Sequence, residues 1–76
     1  MYDKHLDYFL SVADCGSFSK AAEKAYISPN TIIKQINLLE TDLGITLFIR
    51  TNHGAKLTEA GTSIYQDAKR IIALSE

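Results

Sequence analysis

Residues 27–44 read ISPNTIIKQINLLETDLG, and they contain the start, the buried stripe and the stop of one helix. Ser28 is a good N-cap, and Pro29 follows at the first helical position, where its missing N–H costs nothing. Ile27 and Ile32 stand at N′ and N4, the spacing of a hydrophobic staple. Ile32, Ile36, Leu39 and Leu43 recur at helical spacing and form the inward stripe. Gly44 ends the helix. At about 100° per residue, Asn30, Lys34, Asn37 and Thr41 lie opposite that stripe, with Ile33 and Leu38 beside them. The outward face therefore carries hydrogen-bonding groups rather than a lattice of opposite charges. Asparagine matches an adenine edge, lysine reaches guanine or phosphate, and an apolar flank such as Ile33 suits a thymine methyl.

Upstream, Leu6, Phe9, Leu10 and Ala13 mark one face of a first helix from about Asp3 to Asp14. Gly16 stops it, and Ser17 is placed to cap a short second helix, Phe18 to Tyr26. Phe18, Ala21, Ala22 and Ala25 share a stripe there. Small alanines let another helix approach closely, as a tight helix-turn-helix requires. Downstream the period changes. Ile45 to Arg50 is rich in β-branched and aromatic residues and suits a strand. Thr51-Asn52-His53-Gly54 is turn chemistry, and Ala55-Lys56-Leu57 can return as a second strand. Thr58 then caps a fourth helix, Glu59 to about Leu74.

A helix, a tight turn and a third helix with a polar N-terminal half is the arrangement that puts side chains into a DNA major groove. The N-terminal N–H groups of that helix favour a phosphate. The hairpin adds Arg50, His53 and Lys56 as donors next to it. On the fourth helix Ala60, Ile64, Tyr65, Ala68, Ile71, Ile72 and Leu74 cover about half the circumference. That exceeds what a small body needs, so Ile64, Tyr65, Ala68, Ile71 and Ile72 are expected to dock a second copy of the chain.

The totals bound the function. Seventy-six residues make one small domain with a marginal core, which favours further burial against a partner. No apolar run approaches the roughly 20 residues of a membrane span. The polar N-terminus lacks the apolar stretch of a secretion signal, and the lone Cys15 fits a reducing compartment, so a cytoplasmic protein is expected. Net charge is −1, but it is unevenly spread. Lys20, Lys24, Lys34, Arg50 and Lys56 outnumber Glu23, Glu40 and Asp42 in the middle, while both ends are net acidic. His5, Cys15 and His53 are scattered. With no metal-ligand spacing, no paired carboxylates and no glycine-rich phosphate loop, no enzyme, metal or cofactor is expected.

The stretch FLSVADCGSFSKAA, residues 9–22, resembles the opening of LysR-type transcriptional regulators, whose pattern runs F-L-x-V-A-x-x-G-S-F-[ST]-x-A-A. The similarity continues in order through Ile27-Ser28, Gln35-Ile36, Leu39-Glu40, Leu43-Gly44, Leu47-Phe48-x-Arg50 and Leu57 to Gly61. The resemblance implies a mainly α winged helix-turn-helix with a two-stranded wing and a long C-terminal linker helix. It divides the chain into a DNA-binding domain, 1–58, and a linker or dimerisation helix, 59–76. It places the recognition helix at about 29–43 and the wing at 47–57. Carried over by position, Ser28, Pro29, Asn30, Thr31, Ile33 and Lys34 face the groove. Ser17, Ser19 and Lys20 approach phosphates, and Arg50, His53 and Lys56 belong to the wing. The partners implied are double-stranded DNA and a second copy through the linker helix, with a tetramer in the full-length protein. A small-molecule effector would bind only through a further C-terminal domain. Glu76 falls within the linker region, so the chain reads as the N-terminal part of a longer protein.

Several positions depart from the family pattern. Pro29 stands where Gln is frequent, Ile33 where Ser is, Asn37 and Leu38 where basic residues occur, and His53 where Arg is common. These changes remove hydrogen-bonding groups and positive charge, and point to weaker binding at physiological ionic strength unless dimerisation compensates. His53 would add charge below about pH 6.5 and strengthen binding modestly in acid. A second reading stays open at this point: a winged helix that docks a protein through Ile33 and Leu38. Binding to mixed duplexes that falls steeply with salt separates DNA from that alternative.

Overall fold

The computed structural model describes residues 4–52 and 54–75, with side chains over 5–52 and 54–71. Three helices come first: α1, Lys4–Cys15, α2, Phe18–Ala25, and α3, Pro29–Leu43. An antiparallel hairpin of β1, Phe48–Thr51, and β2, Gly54–Leu57, follows, and α4, Glu59–Ser75, closes the chain. This is a mainly α winged helix-turn-helix with a two-stranded wing.

Local chemistry sets most of the boundaries. Ser17 Oγ accepts from the Lys20 N–H at 3.3 Å, and Ser28 Oγ from the Thr31 N–H at 3.2 Å. Thr58 Oγ1 accepts from the Gly61 N–H at 3.0 Å and so caps α4. Gly44 closes α3 in the left-handed region at φ 70°. The second helix stops one residue earlier than its sequence suggests. Tyr26 takes φ 59° and ψ 38°, and its N–H donates back to the Glu23 carbonyl.

Two other expectations need correction. Of the inward stripe, Ile32 and Ile36 are fully buried and Leu39 is half-buried, but Leu43 is 47% exposed. The third helix has 15 residues and α2 only 8, so the last turn of α3 outruns its support. The strand begins at Phe48, not at Ile45. Glu40 explains this, because its Oε2 accepts from the N–H groups of Leu47 at 2.7 Å and Phe48 at 3.3 Å. The Leu47 carbonyl accepts from the Thr58 N–H at 3.0 Å. The backbone of this approach segment is thus tied to α3 and to the start of α4 instead of to a partner strand.

The core joins Phe9, Leu10 and Val12 of α1 to Ala21 and Ala22 of α2, and to Ile32 and Ile36 of α3. Leu47, Phe48, Ala55 and Ala68 complete it. Phe48 roots the wing, with ring centroids 5.4 Å from Phe9 and 5.7 Å from Phe18. In the hairpin, Phe48 lies opposite Leu57 and Arg50 opposite Ala55, while Ile49 pairs with Lys56 on the other face. The returning strand is pressed onto the turn between α1 and α2. The Ala55 N–H donates to the Gly16 carbonyl at 2.9 Å. A Cβ on Gly54, whose φ is +132°, would stand 2.1 Å from that same oxygen. No helix among the described residues is long and apolar enough to cross a membrane.

Candidate nucleic-acid interface

The N-terminal half of α3 stands on the surface, and the wing reaches the helix further along, at Asn37. Ser28, Pro29, Asn30, Thr31 and Lys34 are exposed, Ile33 is half-buried, and Ile32 between them points into the core. A shallow groove runs along this outer face, lined by Asn30, Ile33, Lys34, Asn37, Leu38 and Thr41. Among the described residues that line it, Lys34 is the charged one. The Ser28 and Thr31 hydroxyls are hydrogen-bonded to each other at 2.8 Å, which orders the first turn.

A second cleft, of about 450 Å3, lies between the start of α2 and the wing. Ser17, Phe18, Ser19 and Lys20 form one wall, and Arg50, Thr51, Asn52 and Gly54 the other. The charged residues among the described ones lining it, Lys20 and Arg50, are both cationic. The capped N-terminus of α2 contributes N–H groups to the same place, and such an end favours an anion. Arg50 joins the two concavities. Its guanidinium carbon lies 4.9 Å from the centroid of the Phe18 ring, and Nη2 donates to Asn37 Oδ1 at 2.5 Å.

The surface thus presents amide and ammonium groups in one strip and an acid-free cationic cleft adjacent to it. The first suits base edges and the second suits phosphate oxygens. Of the residues singled out in the sequence, Ser17, Ser19, Lys20 and Arg50 come together in the cleft. Residues 28–31, Ile33 and Lys34 form the exposed start of α3. Lys56 is exposed but lies on the hairpin face opposite Arg50, away from the cleft. His53 lies outside the described residues.

Residues 4–62 match the family of the bacterial regulatory helix-turn-helix protein, lysR family. The chain belongs to the LysR family. Its residues 4–62 carry the helix-turn-helix of that family. It is 44% identical over 73 residues to the HTH-type transcriptional regulator ClcR of Pseudomonas putida, covering 96% of this chain and 25% of ClcR. It is 42% identical over 71 residues to TfdT of Cupriavidus pinatubonensis, covering 93% of this chain and 31% of TfdT. The chain thus spans about a quarter to a third of the length of these two curated relatives. Among solved structures, the DNA complex of the CbnR DNA-binding domain superposes with a TM-score of 0.89 at 39% identity. That match covers 99% of this chain and 86% of the CbnR chain. The complex of the BenM DNA-binding domain with catB site 1 DNA gives 0.89 at 37% identity, covering 99% and 81%.

The fourth helix is tied to the body through Asp14. The Tyr65 hydroxyl donates to Asp14 Oδ1, and Lys69 Nζ pairs with Oδ2 at 3.3 Å. The hydrogen bond to Asp14 holds the Tyr65 phenol above its ordinary value, aided by desolvation and by the carboxylate charge. The same carboxylate raises Lys69, through its hydrogen bond first and its charge second. Ala68 is 3% exposed and already belongs to the chain's own core, and Ile64 and Tyr65 pack against it half-buried. Ile71 is 49% exposed. The Ile72 side chain lies outside the described residues.

Sequence reasoning missed three supporting side chains. Glu40 fixes the approach to the wing, and Phe18 and Asn37 hold Arg50. No periodicity signal joins Asn37 to Arg50, because they are 13 residues apart across a loop.

Proposed function

We propose that this LysR-type domain reads duplex DNA by laying the start of α3 into the major groove, with Asn30 and Lys34 at base edges. Ile33, with Leu38 beside it, presents an apolar surface to thymine methyls. The cleft formed by Ser17, Ser19, Lys20 and Arg50 receives a phosphate of the flanking backbone, and Lys56 reaches a second one from the outer face of the wing. One observation carries the reading: the polar outer face of α3, running from Asn30 to Thr41, and the cationic cleft adjoin on a single surface, joined where Arg50 meets Asn37. Base reading and backbone positioning need that adjacency.

Residues 1–58 serve as the reading domain and 59–76 as the linker in this account. Two copies pair through α4, on which Ile71 is 49% exposed. In the longer protein such dimers associate into tetramers, and a further C-terminal domain takes the small-molecule effector. The protein acts in the cytoplasm. The DNA-binding domains of CbnR and BenM form complexes with DNA, which supports the same class of partner here.

Selection of bound sequences from a random duplex pool tests the proposal. The expected result is an enriched motif whose binding falls steeply with salt, by a log–log slope of about 0.9 for each phosphate neutralised. Recovery of unbiased sequences, or binding indifferent to salt, would refute it and favour a protein partner.

A further inference from the structure

The middle of α3 carries an asparagine that lines the outer groove and whose amide oxygen is bonded to the wing. Asn37 Oδ1 accepts from Arg50 Nη2 at 2.5 Å, and the Arg50 guanidinium also stands 4.9 Å from the Phe18 ring centroid. One planar group thereby touches α2 and α3 from a base in β1. A guanidinium offers five N–H donors in a rigid fork, so one bond to Asn37 fixes its orientation and leaves further donors for an anion. The cleft next to it is lined by Ser17, Ser19 and Lys20 and holds no acid.

We infer that Asn37 is a positioning residue for Arg50 and not a reader of bases; the inference rests on the proposed DNA-binding function. Bidentate recognition of adenine needs both the oxygen and the nitrogen of an asparagine amide. Here the oxygen is engaged by Arg50. Asn37 also lies seven residues beyond Asn30, about 10 Å further along the helix axis, and base edges are met by the N-terminal residues of such a helix. The carboxamide and the Phe18 ring hold the guanidinium at the mouth of the cleft before DNA arrives. Ordering a long side chain in advance reduces the entropy lost on binding. Asn37 thus supports affinity evenly across sequences, acting through Arg50.

The test is a double-mutant cycle on the whole chain with Asn37→Ala, Arg50→Ala and both together. Each variant is read by duplex binding at several salt concentrations and by selection from a random pool. Asn37→Ala should weaken binding by about 5-fold, the worth of one hydrogen bond, with the selected motif unchanged. Arg50→Ala should lower the salt slope by about 0.9 per chain. In the Arg50→Ala background, Asn37→Ala should have no further effect. Relaxed preference at one base position in Asn37→Ala, or losses that simply add in the double variant, would overturn the inference while leaving DNA binding intact. Absence of any duplex binding by the unaltered chain would overturn both readings together.

Discussion

Replacing Gly61 by alanine sets two effects against each other, and the geometry decides which wins. In a helix interior alanine is favoured over glycine by about 0.8–1.0 kcal/mol, an upper bound at Gly61 in the first turn of α4. Sequence reasoning alone would therefore predict a more stable protein. The structure predicts the reverse. A Cβ at position 61 would stand 2.3 Å from the Leu47 carbonyl oxygen and 3.1 Å from Leu57 Cδ2. The leucine tip can rotate away, but the carbonyl cannot. It accepts from the Thr58 N–H at 3.0 Å, and the Leu47 N–H is held by Glu40 at 2.7 Å. Ordinary carbon–oxygen contacts lie near 3.3 Å or beyond, so α4 and the Leu47 segment must part by about 1 Å. Overpacking of this kind costs about 1–3 kcal/mol. After the helix preference is set against it, the net loss is up to about 2 kcal/mol, or a fall in Tm of up to about 15 °C for a domain of this size. Thermal unfolding followed by far-UV circular dichroism measures it, with Ser63→Ala, exposed on the same helix, as the control expected to stay near the parent. Because Leu47 leads directly into the wing, DNA affinity should fall with stability. A Gly61→Ala chain that melts at or above the parent temperature would refute the reasoning.

Further outcomes follow from other contacts. Lys34→Ala should weaken duplex binding and relax the preference at the base pair it meets; anisotropy titrations with duplexes varied at that position measure both. Replacing thymine by uracil beneath Ile33 removes one methyl and should cost about 4-fold in affinity, and Ile33→Ser should abolish that difference. The tie of α4 to Asp14 has an alkaline limit. Tyr65 and Lys69 are both raised from ordinary values of 10.0 and 10.5. A raised folded-state value means that the stabilisation is fully present below the ordinary value and lost as pH rises through the folded one. Urea midpoints should therefore drop above about pH 10, and Tyr65→Phe should remove the phenol's share of that drop. Ile71→Asp should shift the chain from dimer toward monomer in sedimentation, since a carboxylate on a pairing face is costly to bury.

What the sequence made legible was whatever short-range chemistry controls. Ser17, Ser28 and Thr58 announce helix starts because a hydroxyl at that offset has one backbone N–H within reach. Gly44 announces a stop because its backbone can turn left-handed without a Cβ penalty. The polar strip from Asn30 to Thr41 followed from a period of 3.6 alone. Failures came where distant groups intervene. Tyr26 was read into α2, yet it takes the left-handed conformation usually left to glycine. Ile45 to Leu47 have strand propensity, but a carboxylate seven residues away claims the Leu47 N–H. Leu43 keeps the helical period while its supports end earlier, so it faces solvent. The Arg50–Asn37–Phe18 contact unites three elements and leaves no mark in any local pattern.

The central claim is that the start of α3 enters the duplex while the wing steadies the backbone. Amide chemical-shift mapping of the 15N-labelled chain, titrated with a selected duplex, tests it most directly. The account predicts the largest changes at residues 28–34, in the Ser17–Lys20 turn and around Arg50, with α1 and the second half of α4 nearly unmoved. Changes confined to α1 or α4, with residues 30–34 unaffected at saturation, would contradict it.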